Sequence, residues 1–298
     1  MKITVLGAGI VGLTTAVTLQ ERGHRVRVVA AATHDTTSTV AAAIWFPYRV
    51  GPPAKVVDWA ARTRRWLVEL SRVPAAGVDM LTCYELAHDE PPWWIDAVGA
   101  ELARAPIDGA PTAWRFSAPR AQPSLLLPYL TSQLRVAIEQ RIVTDLAAEP
   151  ADLVINCTGL GARTLANDRE LTPLLGQIVI AELGDADPAL ALGDDRDPDA
   201  TFYIIPRRDE LVLGGCAIAI SPEAQPAIDP AISARIIEHA KRLGLSIGAL
   251  RNERVGLRPY RAEVRLERDG RVVHNYGHGG AGFTLCRGCA EDVAALVD

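Results

Sequence analysis

The sequence lacks any apolar stretch close to the roughly 20 residues that a membrane-spanning helix requires. Its net charge is only −5 and its acidic residues are scattered, so neither a membrane nor a nucleic acid is expected as a partner. Internal repeats and low-complexity tracts are absent as well. A strand-like run begins at residue 3, which leaves no room for a signal peptide, and the last residues do not spell a peroxisomal address. We therefore expect a cytoplasmic globular protein, and its 298 residues are enough for two domains.

Cysteine is sparse and offers no complete metal site. The five cysteines are dispersed, and only Cys286 and Cys289 have the CxxC spacing of many metal and redox sites. No second CxxC pair and no nearby pair of histidines completes a zinc site. Because both cysteines fall where we expect a helix, we predict two small buried thiols and no metal.

The N-terminus carries a dinucleotide-binding pattern. An apolar strand over 3–6 runs directly into Gly7, Gly9 and Gly12, and a helical pattern follows. In such a GxGxxG motif the first glycine permits a tight turn, the second lets a pyrophosphate approach the backbone, and the third lets the helix pack closely on the strand. A second apolar strand over 25–29 completes a βαβ unit. The pattern predicts a bound dinucleotide at this end of the chain.

The acidic residue that usually follows the second strand of such a unit is missing. An Asp or Glu at this place normally binds the adenosine ribose. Here 30–32 are all alanine, and the first acidic residue is Asp35. We therefore expect backbone groups, Thr33 or His34 to hold the ribose. No arginine stands there for a 2′-phosphate, so NADP is not expected.

A second glycine-rich segment lies near the C-terminus, over 274–282. It contains four glycines in nine residues and precedes 283–285, where a helix can begin. Dense glycines let the backbone approach a ligand closely, and free amides at a helix N-terminus favour an anion or an electron-rich ring. We predict that the two glycine-rich ends of the chain meet around one cofactor.

Apolar periodicity and turn residues divide the rest of the chain into further elements. The patterns predict helices over 56–72, 125–139 and 230–243, a strand from Asp152 into a turn at Gly159, sheet segments over 174–182 and 201–215, and a hairpin over 263–274 that turns at Asp269 and Gly270. Asp229 is placed to cap the third helix and Gly244 to end it. Residues 73–123 are rich in proline and tryptophan, which predicts short strands and loops of a second domain.

Six motifs spread over most of the chain resemble the flavin-dependent D-amino-acid oxidases. They are Gly7–Gly12, Val40–Trp45, Asn156–Gly159, Tyr203–Pro206, Gly256–Pro259 and His274–Gly280, the last of which is close to a family signature. The resemblance implies an α/β fold in which an FAD-binding, Rossmann-like domain of the glutathione-reductase type carries an inserted antiparallel-sheet substrate domain. It assigns 1–45, 130–185 and 255–298 to the FAD-binding domain, and 46–129 and 186–254 to the substrate-binding domain.

The same resemblance implies roles for individual residues. Arg258 would bind the substrate carboxylate through the two parallel hydrogen bonds of a guanidinium fork, and the Tyr203 hydroxyl would contact the same carboxylate. The carbonyl group of Gly280 would accept a hydrogen bond from the substrate amine. Only the family match selects Arg258 over the neighbouring Arg261 and Arg265. The residues implied to bind FAD are Ala8, Gly9, Ile10, Val11, Thr36, Thr37, Ala42, Ala43, Ile44, Thr158, Gly159, Gly279, Gly280, Ala281, Gly282, Phe283 and Thr284.

Two positions depart from the family pattern. Asp199 stands where the animal enzymes carry a second tyrosine on a covering loop, and Phe46 stands where the family has glutamine. We therefore expect the lid to be absent or built otherwise, and the pocket to be reshaped. We interpret His274 and His278 as loop-structuring residues, because hydride transfer from Cα depends on geometry and needs no general base.

The implied activity is oxidation of D-amino acids to imino acids, with FAD as cofactor and O₂ reduced to H₂O₂. The imino acid then hydrolyses to a 2-oxo acid and ammonia. The nearest alternative is a related flavin amine oxidase acting on D-aspartate, glycine or N-methylglycine, and an acidic side chain would need a further cation such as Arg49, Arg207 or Arg208. The remaining alternatives are a nicotinamide-dependent dehydrogenase and a flavin-binding protein without turnover. The sequence is compatible with a homodimer.

Overall fold

The computed structural model of the protein describes residues 1–86, 90–107, 110–197 and 200–298, in which one mixed β-sheet is covered by helices. The strands are β1 (Lys2–Leu6), β2 (Arg25–Ala30), β3 (Val78–Leu86), β4 (Ala103–Ile107), β5 (Ala110–Ala121), β6 (Glu139–Gln140), β7 (Leu153–Asn156), β8 (Thr172–Ala181), β9 (Leu190–Asp194), β10 (Phe202–Pro206), β11 (Leu211–Gly214), β12 (Ile218–Ala219), β13 (Leu250–Asp269) and β14 (Val272–His278). The helices are α1 (Ile10–Glu21), α2 (Thr37–Val40), α3 (Pro53–Leu70), α4 (Ile95–Val98), α5 (Pro123–Ser132), α6 (Ala162–Leu165), α7 (Pro230–Arg242) and α8 (Gly282–Val297). None of the helices in these residues is both long enough and apolar enough to cross a bilayer.

The N-terminal βαβ unit forms as predicted. β1 pairs in parallel with β2 on one side and with β7 on the other. α1 begins at Ile10, directly after the glycine motif, and Gly23 just beyond the helix has a left-handed backbone with φ +88°. A Cβ atom on Gly12 would lie 2.9 Å from the carbonyl carbon of Gly7, so glycine is needed for α1 to pack this closely on the turn.

The sheet has a parallel part and a largely antiparallel part. β14, β7, β1, β2 and β6 are parallel neighbours, and this part carries the N-terminal glycine motif. In the other part the order is β4, β5, β3, β9, β10, β11 and β8, and only β3 and β9 pair in parallel. β13 joins the two parts, because 250–260 pair with β8 and 265–269 pair with β14.

The helix predicted over 125–139 is wrong in its second half. α5 starts at Pro123 and already ends at Ser132. Beyond it, the Gln20 side chain donates to the carbonyl oxygen of Gln133 (3.1 Å) and accepts from the backbone N–H of Arg135 (2.9 Å). These bonds satisfy backbone groups in place of another helical turn, and the chain continues to β6 beside β2.

The other predicted elements are confirmed, with one difference in length. α3, α7 and the β13–β14 hairpin occupy the expected places; the Asp229 carboxylate accepts from the N–H of Ala231 at 2.8 Å, and Gly270 in the hairpin turn has φ +57°. Between residues 73 and 123, β3 and β5 are 9 and 12 residues long, longer than the short strands predicted there. They are long because they pair with each other over 78–85.

Apolar side chains form two main clusters in the described residues. The larger one packs α1, α3, α5 and α8 against the parallel strands, and the second packs α7 through Ile236 against Phe202 and Leu213 of the antiparallel part. Cys286 and Cys289 are fully buried in α8, as predicted, and burial raises the pKa of Cys286 to about 12. The domain boundaries remain a prediction, because the sheet continues across them.

Candidate active site

A cavity of about 820 Å³ lies where the two glycine-rich ends of the chain meet. Its wall includes Gly7–Gly12 from the turn before α1, and Gly279, Gly280 and Gly282 from the segment between β14 and α8. The segment 35–46 and one face of the antiparallel strands complete the wall. The predicted meeting of the two ends is therefore present in the structure.

The end of the cavity at α1 is suited to a phosphate group. Gly9 has an extended backbone, and the N–H of Ile10 donates to the hydroxyl oxygen of Ser38 at 3.0 Å. Ser38 belongs to α2, which thereby contacts the helix end where anions bind. The sequence analysis missed Ser38, although the run of small polar residues around it was a signal.

Most residues predicted to bind FAD line this cavity. The exceptions are Ala281 and Thr284, which are buried outside the wall. The Thr284 hydroxyl donates to the carbonyl oxygen of Phe46 (2.9 Å) and accepts from its N–H (3.0 Å), so it fixes the first turn of α8 to that segment. At the ribose end the wall contains Asp35 but neither Thr33 nor His34.

Three buried polar atoms in the described residues indicate that the cavity is built for a polar ligand. Thr36 Oγ1, Asn275 Oδ1 and His278 Nε2 have no hydrogen-bond partner in the structure, and all three residues line the cavity. A buried polar atom without a partner costs about 1–3 kcal/mol, and a bound cofactor would supply the missing bonds. With the phosphate-binding turn, these atoms fit a dinucleotide such as FAD.

The two histidines of the C-terminal motif lie in β14 and not in a loop, so that part of the prediction is wrong. His274 is bonded to the Asn156 side chain at 3.3 Å, and burial together with the Arg265 charge lowers its pKa. Burial lowers the pKa of His278 to about 4. Both imidazoles are therefore neutral at pH 7.

Arg258 and Tyr203 each lie flat on a glycine of the neighbouring strand. A Cβ atom on Gly176 would be 2.5 Å from Cζ of Arg258, and one on Gly214 would be 2.5 Å from Cε2 of Tyr203. Arg258 Nη1 also donates to the carbonyl oxygen of Cys216 at 2.6 Å. Burial raises the pKa of Tyr203 although the Arg258 charge opposes the shift, so the hydroxyl stays protonated and able to donate.

Gly280 lies next to Arg258, and Tyr48 contacts both. A Cβ atom on Gly280 would lie 3.6 Å from Cδ of Arg258 and 2.8 Å from Cδ1 of Tyr48. The guanidinium carbon of Arg258 is 5.9 Å from the centre of the Tyr48 ring, within the range of a cation–π contact. The sequence analysis gave Tyr48 no role, since nothing in the pattern around it indicates this contact.

Two carboxylates also line the cavity, the buried Glu85 and the half-buried Asp195, and the sequence analysis missed both. Burial raises the pKa of Glu85 well above its usual range, and the Asp195 charge adds to the shift. Burial likewise raises the pKa of Asp195 to about 6, against the opposing charge of Arg49.

Phe46 lines the cavity beside Trp94, with ring centres 5.2 Å apart. Asp199, where a lid was expected to be absent or altered, lies outside the described residues.

Comparison with known proteins covers nearly the whole chain. The model of a family described as DAO, FAD dependent oxidoreductase, matches residues 2–296. A D-amino-acid oxidase of Rubrobacter xylanophilus is 41% identical over 99% of this chain and 95% of its own length, and one of Streptomyces coelicolor is 40% identical over 99% and 96%. The crystal structure of a glycine oxidase from Bacillus cereus is similar with a TM-score of 0.78 at 18% identity, covering 99% of this chain and 94% of that one. The predicted α/β fold class is confirmed.

Proposed function

This chain belongs to the DAO family of FAD-dependent oxidoreductases, and from this we propose that it oxidises D-amino acids in the cavity described above. The observation that carries the proposal is the group formed by Arg258, Tyr203 and Gly280 in the cavity wall. The phosphate-binding turn before α1 lies at the other end of the same cavity. FAD would be held by the turn at Gly7–Gly12 and by the glycines before α8, and it would supply the acceptor for the hydride of the substrate Cα and the route of the electrons to O₂, which is reduced to H₂O₂. The imino acid leaves and hydrolyses in water to a 2-oxo acid and ammonia.

The side chains of this site bind and orient the substrate. The Arg258 guanidinium, held by the Cys216 carbonyl group and the Tyr48 ring, binds the carboxylate as a fork. The protonated Tyr203 hydroxyl donates to the same carboxylate, and the Gly280 carbonyl group accepts from the amine. Glycine backbone and the Phe46 side chain form part of the cavity wall around these groups.

No side chain needs to act as a base on the Cα hydrogen. His274 is bonded to Asn156, and the neutral His278 imidazole, whose Nε2 atom has no partner among the described residues, is suited to a hydrogen bond with the cofactor. Carboxylate, amine and Cα hydrogen are fixed by three separate contacts, so an L-amino acid held by the same anchors points its hydrogen elsewhere. Positioning of the substrate therefore supplies the stereochemical selection.

The proposal is tested by a peroxide assay on the FAD-loaded enzyme with D-alanine and L-alanine as a matched pair. We expect H₂O₂ and pyruvate from D-alanine only. Equal rates with the two isomers, or activity with L-alanine alone, would contradict the proposal.

The D-aspartate alternative receives less support from the contacts of this site. For D-aspartate the side chain would need a cation, but Arg207 is bonded to Glu210 and to the Ala41 carbonyl group, and Arg208 lies near Asp79. None of the three candidate arginines, Arg49, Arg207 and Arg208, is among the described residues that line the cavity. A nicotinamide-dependent dehydrogenase does not fit the family, which is one of FAD-dependent oxidoreductases. A cytoplasmic location and a homodimer remain proposals.

A further inference from the structure

We propose that this cavity selects D-amino acids with a cationic side chain, such as D-arginine and D-lysine, and that Glu85 binds the distal cation. The proposal rests on the oxidase function above, because it names the substrate class of the same site. It follows from the cross-strand position of Glu85, from its distance to Arg258 and from the balance of charges around it.

Glu85 lies in the same cross-strand row as Tyr203. Glu85 of β3 pairs with Gly193 of β9, and Gly193 pairs with Tyr203 of β10. Residues paired in this way point to the same face of a sheet, and both side chains line the cavity. The carboxyl carbon of Glu85 lies 3.1 Å from the place of a Cβ atom on Gly193, so the carboxylate lies on the glycine and extends toward the strand of Tyr203.

The separation between Arg258 and Glu85 matches a long substrate. The Arg258 guanidinium lies on Gly176 of β8 and the Glu85 carboxylate on Gly193 of β9, with β11 and β10 between them. The row of Gly193 meets β8 at Ile178, two residues from Gly176, so three strand spacings combine with an offset of two residues to give about 16 Å. An ion-pair contact of about 4 Å at each end leaves roughly 8 Å for the substrate itself.

Only a long side chain spans this gap. In lysine and arginine roughly six bonds separate the carboxyl carbon from the terminal ammonium nitrogen or guanidinium carbon, an extended reach of about 7 Å. In alanine the side chain ends after about two bonds, and it leaves Glu85 without contact. A D-amino acid whose carboxylate is on Arg258 therefore reaches Glu85 only with a side chain of lysine or arginine length.

Among the described residues, three carboxylates interact at this end of the cavity, those of Glu85, Asp194 and Asp195. Asp194 is bonded to Arg196 through both of its oxygens, at 2.7 and 2.8 Å. The charge of Arg49 acts on Asp195. Arg196 also acts on Glu85, so these two arginines are shared among the three carboxylates, and a cationic substrate would add a further positive charge beside them.

Burial of Glu85 makes the selection strong. Its side chain is only 7% exposed, and burial raises its pKa, with the charge of Asp195 adding to the effect. A substrate cation beside it favours the carboxylate form, because opposite charges attract strongly where water is excluded. An apolar side chain gives this group no additional cation, and an acidic one adds repulsion. The site therefore distinguishes side chains by charge as well as by length.

The test compares kcat/KM of the FAD-loaded enzyme for D-arginine, D-lysine and D-norleucine, an uncharged analogue of similar length, with D-alanine as the reference substrate. We expect the two cationic substrates to exceed D-norleucine by roughly 10- to 100-fold, the range of one hydrogen bond to a charged group. In Glu85→Gln this preference should disappear, mainly through KM for the cationic substrates, while D-norleucine improves. The control Glu253→Gln removes a carboxylate of β13 that does not line the cavity, and it should keep the preference.

Equal kcat/KM for D-lysine and D-norleucine in the unmodified enzyme would overturn the proposal, and this comparison needs no variant that could misfold. A parallel loss on both substrates in Glu85→Gln would overturn it too, because it would indicate a structural role for Glu85. Activity on D-alanine without a cationic preference contradicts this proposal alone. Inactivity on every D-amino acid contradicts the oxidase function itself.

Discussion

Replacement of Gly176 by alanine tests whether the glycine under Arg258 fixes the substrate anchor. The new Cβ atom would lie 2.5 Å from Cζ and 2.6 Å from Nη2 of Arg258. Carbon atoms in ordinary contact are about 3.5 Å apart, so the guanidinium would have to move by about 1 Å. Since a misplacement of about 1 Å costs on the order of 100-fold in rate, we expect kcat/KM for D-alanine to fall by about that factor.

The assay is steady-state peroxide production, with flavin absorbance and melting temperature measured on the same samples. Alanine is tolerated in a strand, so Gly176→Ala should fold and retain FAD. The control is the same change in an Arg258→Ala background, where it should cost little, because the group that it displaces is already gone. An unchanged kcat/KM in the single variant, or an equally large loss in the double variant, would refute the reasoning.

Two further predictions follow from the same contacts. Arg258→Ala should lower kcat/KM roughly 10²- to 10⁴-fold while the flavin spectrum persists, since two hydrogen bonds to a charged group contribute about 3–6 kcal/mol; near-normal turnover would show that another arginine binds the carboxylate. Asp168→Asn should lower the free energy of unfolding by about 3 kcal/mol in urea titrations, because the buried Asp168 carboxylate accepts from Arg261 Nε (3.1 Å) and the Tyr276 hydroxyl (2.9 Å). Burial raises the pKa of Asp168, but these two hydrogen bonds outweigh it and the pKa is lowered. The stability that Asp168 contributes is therefore present above the ordinary aspartate pKa and is lost as the pH falls below that value. If the free energy of unfolding depended on pH in the same way in the unmodified protein and in Asp168→Asn, this prediction would be contradicted.

The parts of the site that the sequence revealed are those in which neighbours in the chain are neighbours in space. The turn at Gly7 and the start of α8 follow from local patterns, whereas Arg258 was selected only by the resemblance to the family. Glu85 and Gly193 came to light only in the structure, because their contact depends on the pairing of distant strands, and no periodicity encodes that register.

The same reason explains the error in α5. Local periodicity continues past Ser132, but a side chain far away in sequence, that of Gln20, competes for the backbone there. The predicted helix therefore failed at the place where a tertiary contact outweighs local preference.

The hairpin of β13 and β14 has a consequence for how substrates enter. Arg258 belongs to its first strand and Gly280 follows its second, and the N–H of Gly279 donates to the Pro259 carbonyl oxygen at 2.9 Å. Arg258, which binds the acid group, and Gly280, which accepts from the amino group, therefore lie on one hairpin. A rigid movement of whole domains would leave the distance between these two groups unchanged. Admission and release therefore need no change in the spacing of these two groups, whichever part of the cavity wall moves.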